Sequence, residues 1–222
     1  MGDRNQLAFI DQNRDRFQGP FLEVGSRDYG STPDIRGLFP GADYTGLDMS
    51  EGKGVDIALD LTLPFEDIDA ALGGNRFHTI FCLSVMEHCD QPFVMAENLT
   101  RLLANGGMLY LSVPFAWKFH GYPSDYWRFT HAGVKKLFPQ LVFEDSLDHM
   151  ATSRPGETRQ LDESVGLVPM SSKWHRQQGY PARVISIGLL RLLSALGILR
   201  WLTGYRYLLA PTMINMIGRK AG

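Results

Sequence analysis

The stretch Phe21-Leu-Glu-Val-Gly-Ser-Arg-Asp-Tyr-Gly30 constrains this chain more than any other part of it. Phe21, Leu22 and Val24 form a short apolar run of the kind that makes a strand buried on both faces, and Gly25 and Gly30 punctuate the turn that leaves it. Open α/β sheets bind ligands at that end of a strand. About twenty residues on, Ala42-Asp-Tyr-Thr-Gly-Leu-Asp48 is a second strand candidate whose terminal carboxylate suits the hydroxyls of a ribose. A third acid, Asp60, closes Val55-Asp-Ile-Ala-Leu-Asp60, placed to read an adenine amino group. One glycine turn is weak evidence, because strand-to-helix turns need glycine for backbone reasons alone. Three successive strand ends carrying Glu23 with Gly25, then Asp48, then Asp60, read together as a nucleoside site. A nicotinamide dinucleotide is the obvious competitor, but its turn requires a second glycine close to the pyrophosphate, and Arg27 stands there.

The rest of the chain alternates strand and helix signals. Leu7, Ile10, Arg14 and Phe17 fall at helical spacing, which predicts a helix over residues 5–17. Pro33 opens a second helix that Pro40-Gly41 stops. Further helices are expected over 66–72, 92–103 and 131–138, the last capped by Thr130, with strands over 79–83, 108–113, 141–145 and 213–219. Such alternation implies a doubly wound, mostly parallel sheet. With 222 residues, 44% of them hydrophobic, one domain spanning 1–222 is expected. Cys82 and Cys89 match no metal-ligand spacing and suit a cytosolic protein, and the first residues lack the apolar core of a secretory signal.

Two further segments, Phe77-His-Thr-Ile-Phe-Cys-Leu-Ser-Val-Met-Glu-His88 and Arg101-Leu-Leu-Ala-Asn-Gly-Gly-Met-Leu-Tyr-Leu-Ser-Val-Pro114, complete a pattern. With the first motif, they resemble the class I S-adenosylmethionine (SAM) dependent methyltransferases over roughly residues 20–146 and again at the C-terminus. The family's first motif places three glycines at alternate positions; here only Gly25 matches, and a subgroup with Gly-Ser-Arg at this turn looks similar. The resemblance implies a Rossmann-like sheet of seven strands with a helical insertion before the last one, and SAM as cofactor. It further implies Glu23, Gly25 and Ser26 at the methionine portion, and Asp48 with Met49 at the ribose. Asp60 and Leu61 would lie at the adenine, and Leu83 and Ser84 near the sulfonium. No metal is required by methyl transfer, and none is expected.

The acceptor side rests on Phe115-Ala-Trp-Lys-Phe-His-Gly-Tyr-Pro-Ser-Asp-Tyr-Trp-Arg-Phe-Thr130, which follows a strand and so passes the mouth of the pocket. His120, Asp125 and, after the fourth strand, His88 are the general-base candidates, while Trp117, Tyr122, Tyr126 and Arg128 are the residues expected to frame a substrate. Each has a plainer alternative as a pin for the loop. Residues 147–209 are expected as an inserted cap or interaction segment, too long for a passive loop. From Ser164 onward there is no Asp or Glu, while Lys173, Arg176, Arg183, Arg191, Arg200, Arg206, Arg219 and Lys220 leave that part at about +8 and the preceding part at about −10. Val184–Leu209 is rich in leucine but interrupted by Arg191 and Arg200, which argues against a membrane span and for a lid, a homodimer contact or peripheral attachment to a membrane. The expectation is a cytosolic O-methyltransferase acting on a small, anionic acceptor such as a sugar, a lipid-linked or a natural-product intermediate, and not on nucleic acid. Its rival is a non-catalytic SAM-binding regulatory or scaffolding protein.

Overall fold

Four consecutive buried residues, Phe21 to Val24, make β1 (Phe21–Val24) a central strand, since only a strand covered on both faces is buried at every position. The computed structural model describes residues 4–30, 32–121, 123–168, 171–177, 179–198 and 208–222. These form two compact units, one of residues up to Glu163 with Pro211–Gly222, the other Ser164–Ala210.

In the first unit, β1 pairs in parallel with β2 (Tyr44–Asp48) on one side, and β2 carries the two-residue β3 (Ile57–Ala58). Its other neighbour is β4 (Phe77–Leu83), also parallel, followed by β5 (Leu103–Ala116). Beyond β5 come β6 (Leu141–Phe143), β7 (His149–Thr152), β8 (Thr158–Gln160) and the last strand, β11 (Thr212–Lys220). That strand lies antiparallel between β5 on one side and β6 and β7 on the other. The sheet order is β3-β2-β1-β4-β5-β11-β7-β8, with β6 also on β11, nine strands among the described residues. Seven were expected. The two additional strands, β7 and β8, come from residues 149–160; β7 pairs with β11 and β8 with β7, and both belong to the first unit instead of starting an insertion at residue 147.

Helices α1 (Arg4–Gln12), α2 (Phe65–Ala71), α3 (Pro92–Leu102) and α4 (His131–Leu137) accompany the sheet, and Thr130 caps α4 by accepting from the Gly133 amide at 3.0 Å. Two expected helices are shorter than predicted. The first stops at Gln12, where the Asn13 side chain donates back to the Phe9 carbonyl, and only a 3-10 turn follows at Arg14–Arg16. The second, expected over 33–39, is a single 3-10 turn at Arg36–Leu38. There the Asp34 carboxylate takes the Gly37 amide at 2.8 Å, a local bond that competes with the helical one. One face of the sheet packs Phe17, Phe21, Phe81 and Tyr110 with Ile10 of α1 into an aromatic core. The start of α1 is tied down at distance: Asn5 donates to the Thr152 and Arg154 carbonyls at 3.0 and 2.9 Å and accepts from the Gly156 amide at 2.6 Å.

The second unit contains α5 (Ser172–Gln177), α6 (Pro181–Ala195) and the antiparallel pair β9 (Leu167–Val168) and β10 (Leu208–Leu209). Leu199, Arg200, Trp201, Leu202 and Arg206 of the expected apolar segment lie outside the described residues. Among those described, no helix is long and apolar enough to cross a membrane.

Asp148, 3% exposed, receives the Ile217 amide at 3.2 Å, and burial pushes its carboxyl up to about 6. The folded chain therefore holds a proton that the unfolded chain releases, and this group's contribution to stability falls as pH rises from about 4 to about 6. Asp148→Asn keeps the acceptor oxygen and removes that cost. Its stability relative to the native chain, followed by denaturant titration, rises between pH 4 and pH 7 by about 1–3 kcal/mol; a pH-independent difference would refute the assignment.

Candidate active site

The strand order reverses between β1 and β4, so the loops leaving their carboxyl ends diverge and open a crevice. A cavity of about 760 Å³ lies there, within the roughly 300–1,000 Å³ usual for small-molecule sites. A smaller depression of about 270 Å³, lined by His78, Met108 and Arg219, sits at the opposite edge of the sheet and gathers none of the predicted groups.

The turn after β1 is shaped by close approach. Gly25 has φ +76°, and a Cβ there would meet Val85 Cγ2 at 2.4 Å, so backbone sign and space both call for glycine. Its amide donates to the Leu47 carbonyl at 2.8 Å, tying the turn to the end of β2. Across the cavity Ser84 takes φ +57°, an unusual conformation for a residue with a side chain and one that recurs at functional sites. Glu23, buried at the end of β1, accepts from the Tyr44 hydroxyl at 2.6 Å; burial raises its pKa, and the Tyr44 bond opposes that rise. Asp48 accepts from the Ser50 amide at 3.1 Å, while Asp60 accepts from the Thr62 amide and hydroxyl at 2.8 and 2.7 Å.

Glu23, Gly25, Asp48, Met49, Asp60, Leu61, Leu83 and Ser84 all line this cavity. Ser26 does not: its hydroxyl is buried over Gly46, 2.8 Å from where a Cβ would stand. Arg27, Tyr29 and, from α1, Gln6 line the cavity without having been singled out as ligands. Arg27 was legible only as a departure from the glycine pattern; Gln6 carried no signal, because its place depends on how α1 packs.

The segment after β5 is held down on the 3-10 turn Met86–His88. The Glu87 carbonyl accepts from the Tyr126 amide at 2.8 Å, the Cys89 carbonyl from the Trp127 indole at 2.7 Å, and the Ser124 carbonyl from His88 Nδ1 at 2.5 Å. Inside the segment Asp125, its side chain fully buried, is gripped by Arg128 at 2.5 and 2.8 Å and receives the His120 amide at 2.8 Å. The Arg128 guanidinium holds the Asp125 carboxyl far below the usual range. This corrects the expectation that Asp125 serves as a base, since a carboxylate held so acidic takes no proton near neutrality. Arg128 is likewise spent on Asp125 and the Trp117 carbonyl, so it orders the loop, and neither it nor Trp117 lines the cavity. His88 and Tyr126 do line it, His120 stands behind His88 with ring centroids 5.0 Å apart, and Tyr122 lies outside the described residues. Burial lowers the His88 pKa, favouring the neutral ring.

No protein-family model matches the chain. It is 31% identical over 136 residues to the ubiquinone biosynthesis O-methyltransferase of Coxiella burnetii strain RSA 493, covering 57% of this chain and 55% of that protein. The chain thus spans about half the length of the curated relatives it matches. Among solved structures it is similar to a SAM-dependent methyltransferase from Archaeoglobus fulgidus, with TM-score 0.54 and 15% identity over 97% of this chain and 93% of that one. It is also similar to the 1,6-didemethyltoxoflavin-N1-methyltransferase of Burkholderia thailandensis, crystallised with its acceptor and S-adenosylhomocysteine. There the TM-score is 0.52 and the identity 13%, over 99% and 78% of the two chains.

Gly25→Ala sets a Cβ against Val85 and forces an unfavourable φ, so it should lower stability by about 1–3 kcal/mol in denaturant titration. Adding Val85→Ala returns part of that loss, the steric part; no return at all would mean the close approach is not what demands glycine here.

Proposed function

We propose that this chain, which has the fold of the class I SAM-dependent methyltransferases, transfers a methyl group from SAM to an oxygen of a small-molecule acceptor. The observation that carries the reading is the convergence of the Gly25 turn, Asp48 and Asp60, from three successive strand ends, on one cavity at the point of strand reversal. Asp48 accepts from the ribose hydroxyls, Asp60 from the adenine amino group, and the open Gly25 backbone admits the methionine portion beside Glu23. Arg27, occupying the place of a family glycine at the cavity wall, pairs with the methionine carboxylate. The sulfonium supplies an electrophilic methyl carbon. The chain has to hold the acceptor oxygen in line with it and exclude water. His88 and Tyr126 form the wall at that end. The name of the Coxiella relatives supports oxygen as the acceptor atom.

The second unit supports a peripheral lipid contact. Ile185, Leu189, Leu192 and, at the C-cap, Leu196 are 72, 54, 57 and 65% exposed and recur at helical spacing along α6 and its end, within a region that carries bases and no acids. An anionic membrane surface fits both properties. Sedimentation with vesicles tests this: vesicles containing anionic lipid should retain the chain and zwitterionic ones should not, and Leu189→Glu with Leu192→Glu should abolish retention. Equal recovery with both vesicle types would remove the charge argument.

Calorimetry tests the cofactor reading. SAM and S-adenosylhomocysteine should bind at micromolar concentration, NAD should not, and Asp48→Ala should lose both adenosyl ligands. Arg27→Ala should weaken S-adenosylhomocysteine roughly 10- to 100-fold, the size of a lost charge-assisted bond. It should leave methylthioadenosine, which has no carboxylate, unchanged. Absence of adenosyl binding to the native chain would leave only the fold.

A further inference from the structure

In one polar cluster the residues pin the loop through some of their atoms, while the Glu87 carboxyl and the Nε2 atoms of His88 and His120 take no part in that pinning. Glu87 is 1% exposed, and its Oε2 is buried with no hydrogen-bond partner among the described residues. A carboxyl group buried in that way is costly unless a cation or donor meets it. Two histidines face it. One ligand atom each from Glu87, His88 and His120 lies within 4.8 Å of the others.

The rings are oriented by what holds their other nitrogens. His88 Nδ1 contacts the Ser124 carbonyl, which can only accept, so Nδ1 carries the hydrogen. The opposite atom, Nε2, is the one turned to Glu87, 4.0 Å from Oε1. His120 Nδ1 lies 3.2 Å from both the Lys118 carbonyl and the Asp125 carboxylate, again acceptors, which leaves its Nε2 lone pair for another partner. Carbonyl and carboxylate groups behind the imidazoles are the arrangement that fixes tautomer and direction in histidine metal sites. The Asp125–Arg128 grip and the Tyr126 bond to Glu87 hold His120 in reach of the other two.

We propose that Glu87, His88 and His120 form a site for one divalent transition-metal ion, Zn2+ fitting the donor set best. Two imidazoles and one carboxylate are a ligand set of zinc sites that keep a fourth position open. Tetrahedral Zn2+ with bonds of about 2.0–2.1 Å needs ligand atoms roughly 3.3 Å apart, so small side-chain rotations close the present 4.8 Å triangle. Because His88 also lines the cavity, the open position belongs to the acceptor end. The use of the ion, though not the site, rests on the methyltransferase reading. An acceptor hydroxyl bound there becomes more acidic and releases its proton to water. Its oxygen then forms the new C–O bond as the C–S bond breaks, the electron pair remaining on sulfur as a thioether.

The test uses the full chain, stripped with a chelator, dialysed and titrated with Co2+ and Zn2+. One equivalent of metal should be retained, and Co2+ should give the visible absorption of a four- or five-coordinate ion with nitrogen ligands. Glu87→Gln and His120→Ala should each weaken binding tenfold or more. Their thermal unfolding reports whether they remain folded. If Glu87→Gln does not fold, His120→Ala, on the partly exposed loop, decides. Less than stoichiometric uptake by the native chain, or affinity unchanged in folded variants, overturns the site. Calorimetry with S-adenosylhomocysteine on the stripped chain separates the two claims. Adenosyl binding without metal uptake removes only the metal, and metal uptake without adenosyl binding removes only the transferase reading.

Discussion

Everything at the candidate site depends on β1 having parallel partners on both sides. Pairing with β2 and with β4 aligns the carboxyl ends of all three strands at one edge, and the reversal of strand order there keeps the following loops from covering it. The pairing in turn requires β1 to be apolar on both faces, because α1 and the aromatic core cover one of them. Glu23 is the exception inside that strand, and the Tyr44 hydroxyl meets its carboxyl group. The same register that buries Phe21 therefore brings a carboxylate and a glycine turn to the cavity.

The acceptor side is built by a different kind of force. The described residues of segment 117–129 form neither helix nor strand, and hydrogen bonds to the Met86–Cys89 turn, with one partly buried ion pair, hold them in place. The Asp125–Arg128 pair is partly shielded from solvent, which makes its geometry more consequential than that of surface pairs such as Arg14–Asp11. Polar residues that look chemically promising can thus be consumed in holding others in position. Arg128 and Asp125 are cases of this, and His120 is what they hold.

The strand ends were legible because apolar runs, turn glycines and terminal acids are local signals, and Asp48 and Asp60 both reach the cavity. The length of α1 and the missing helix after Pro33 were not, because the side chains of Asn13 and Asp34 decide them through single backbone bonds. Strands β7 and β8 were hidden for another reason: β8 pairs only with β7, the partner that draws β7 into the sheet, β11, lies some 60 residues further along, and short strands of mixed polarity carry little periodicity of their own. Likewise no spacing rule links Glu87 and His88 to His120. Their proximity follows from a loop folding back, which leaves no trace in the order of residues.

The position of β11 bears on how such a chain is made. It is the last strand in chain order, yet it fills an interior slot between β5 and the β6–β7 edge. During synthesis β1 to β5 can assemble as they emerge, whereas β6 and the β7–β8 pair cannot join the sheet until residues 212–220 leave the ribosome. Asn5 must wait as well, because its partners at Thr152–Gly156 are held by the same late strand. The cavity wall contributed by Gln6 is thus among the last surfaces to be completed, and a nascent chain carries an unpaired β5 edge, open to chaperones or to other chains, from the emergence of residue 116 until that of residues 212–220.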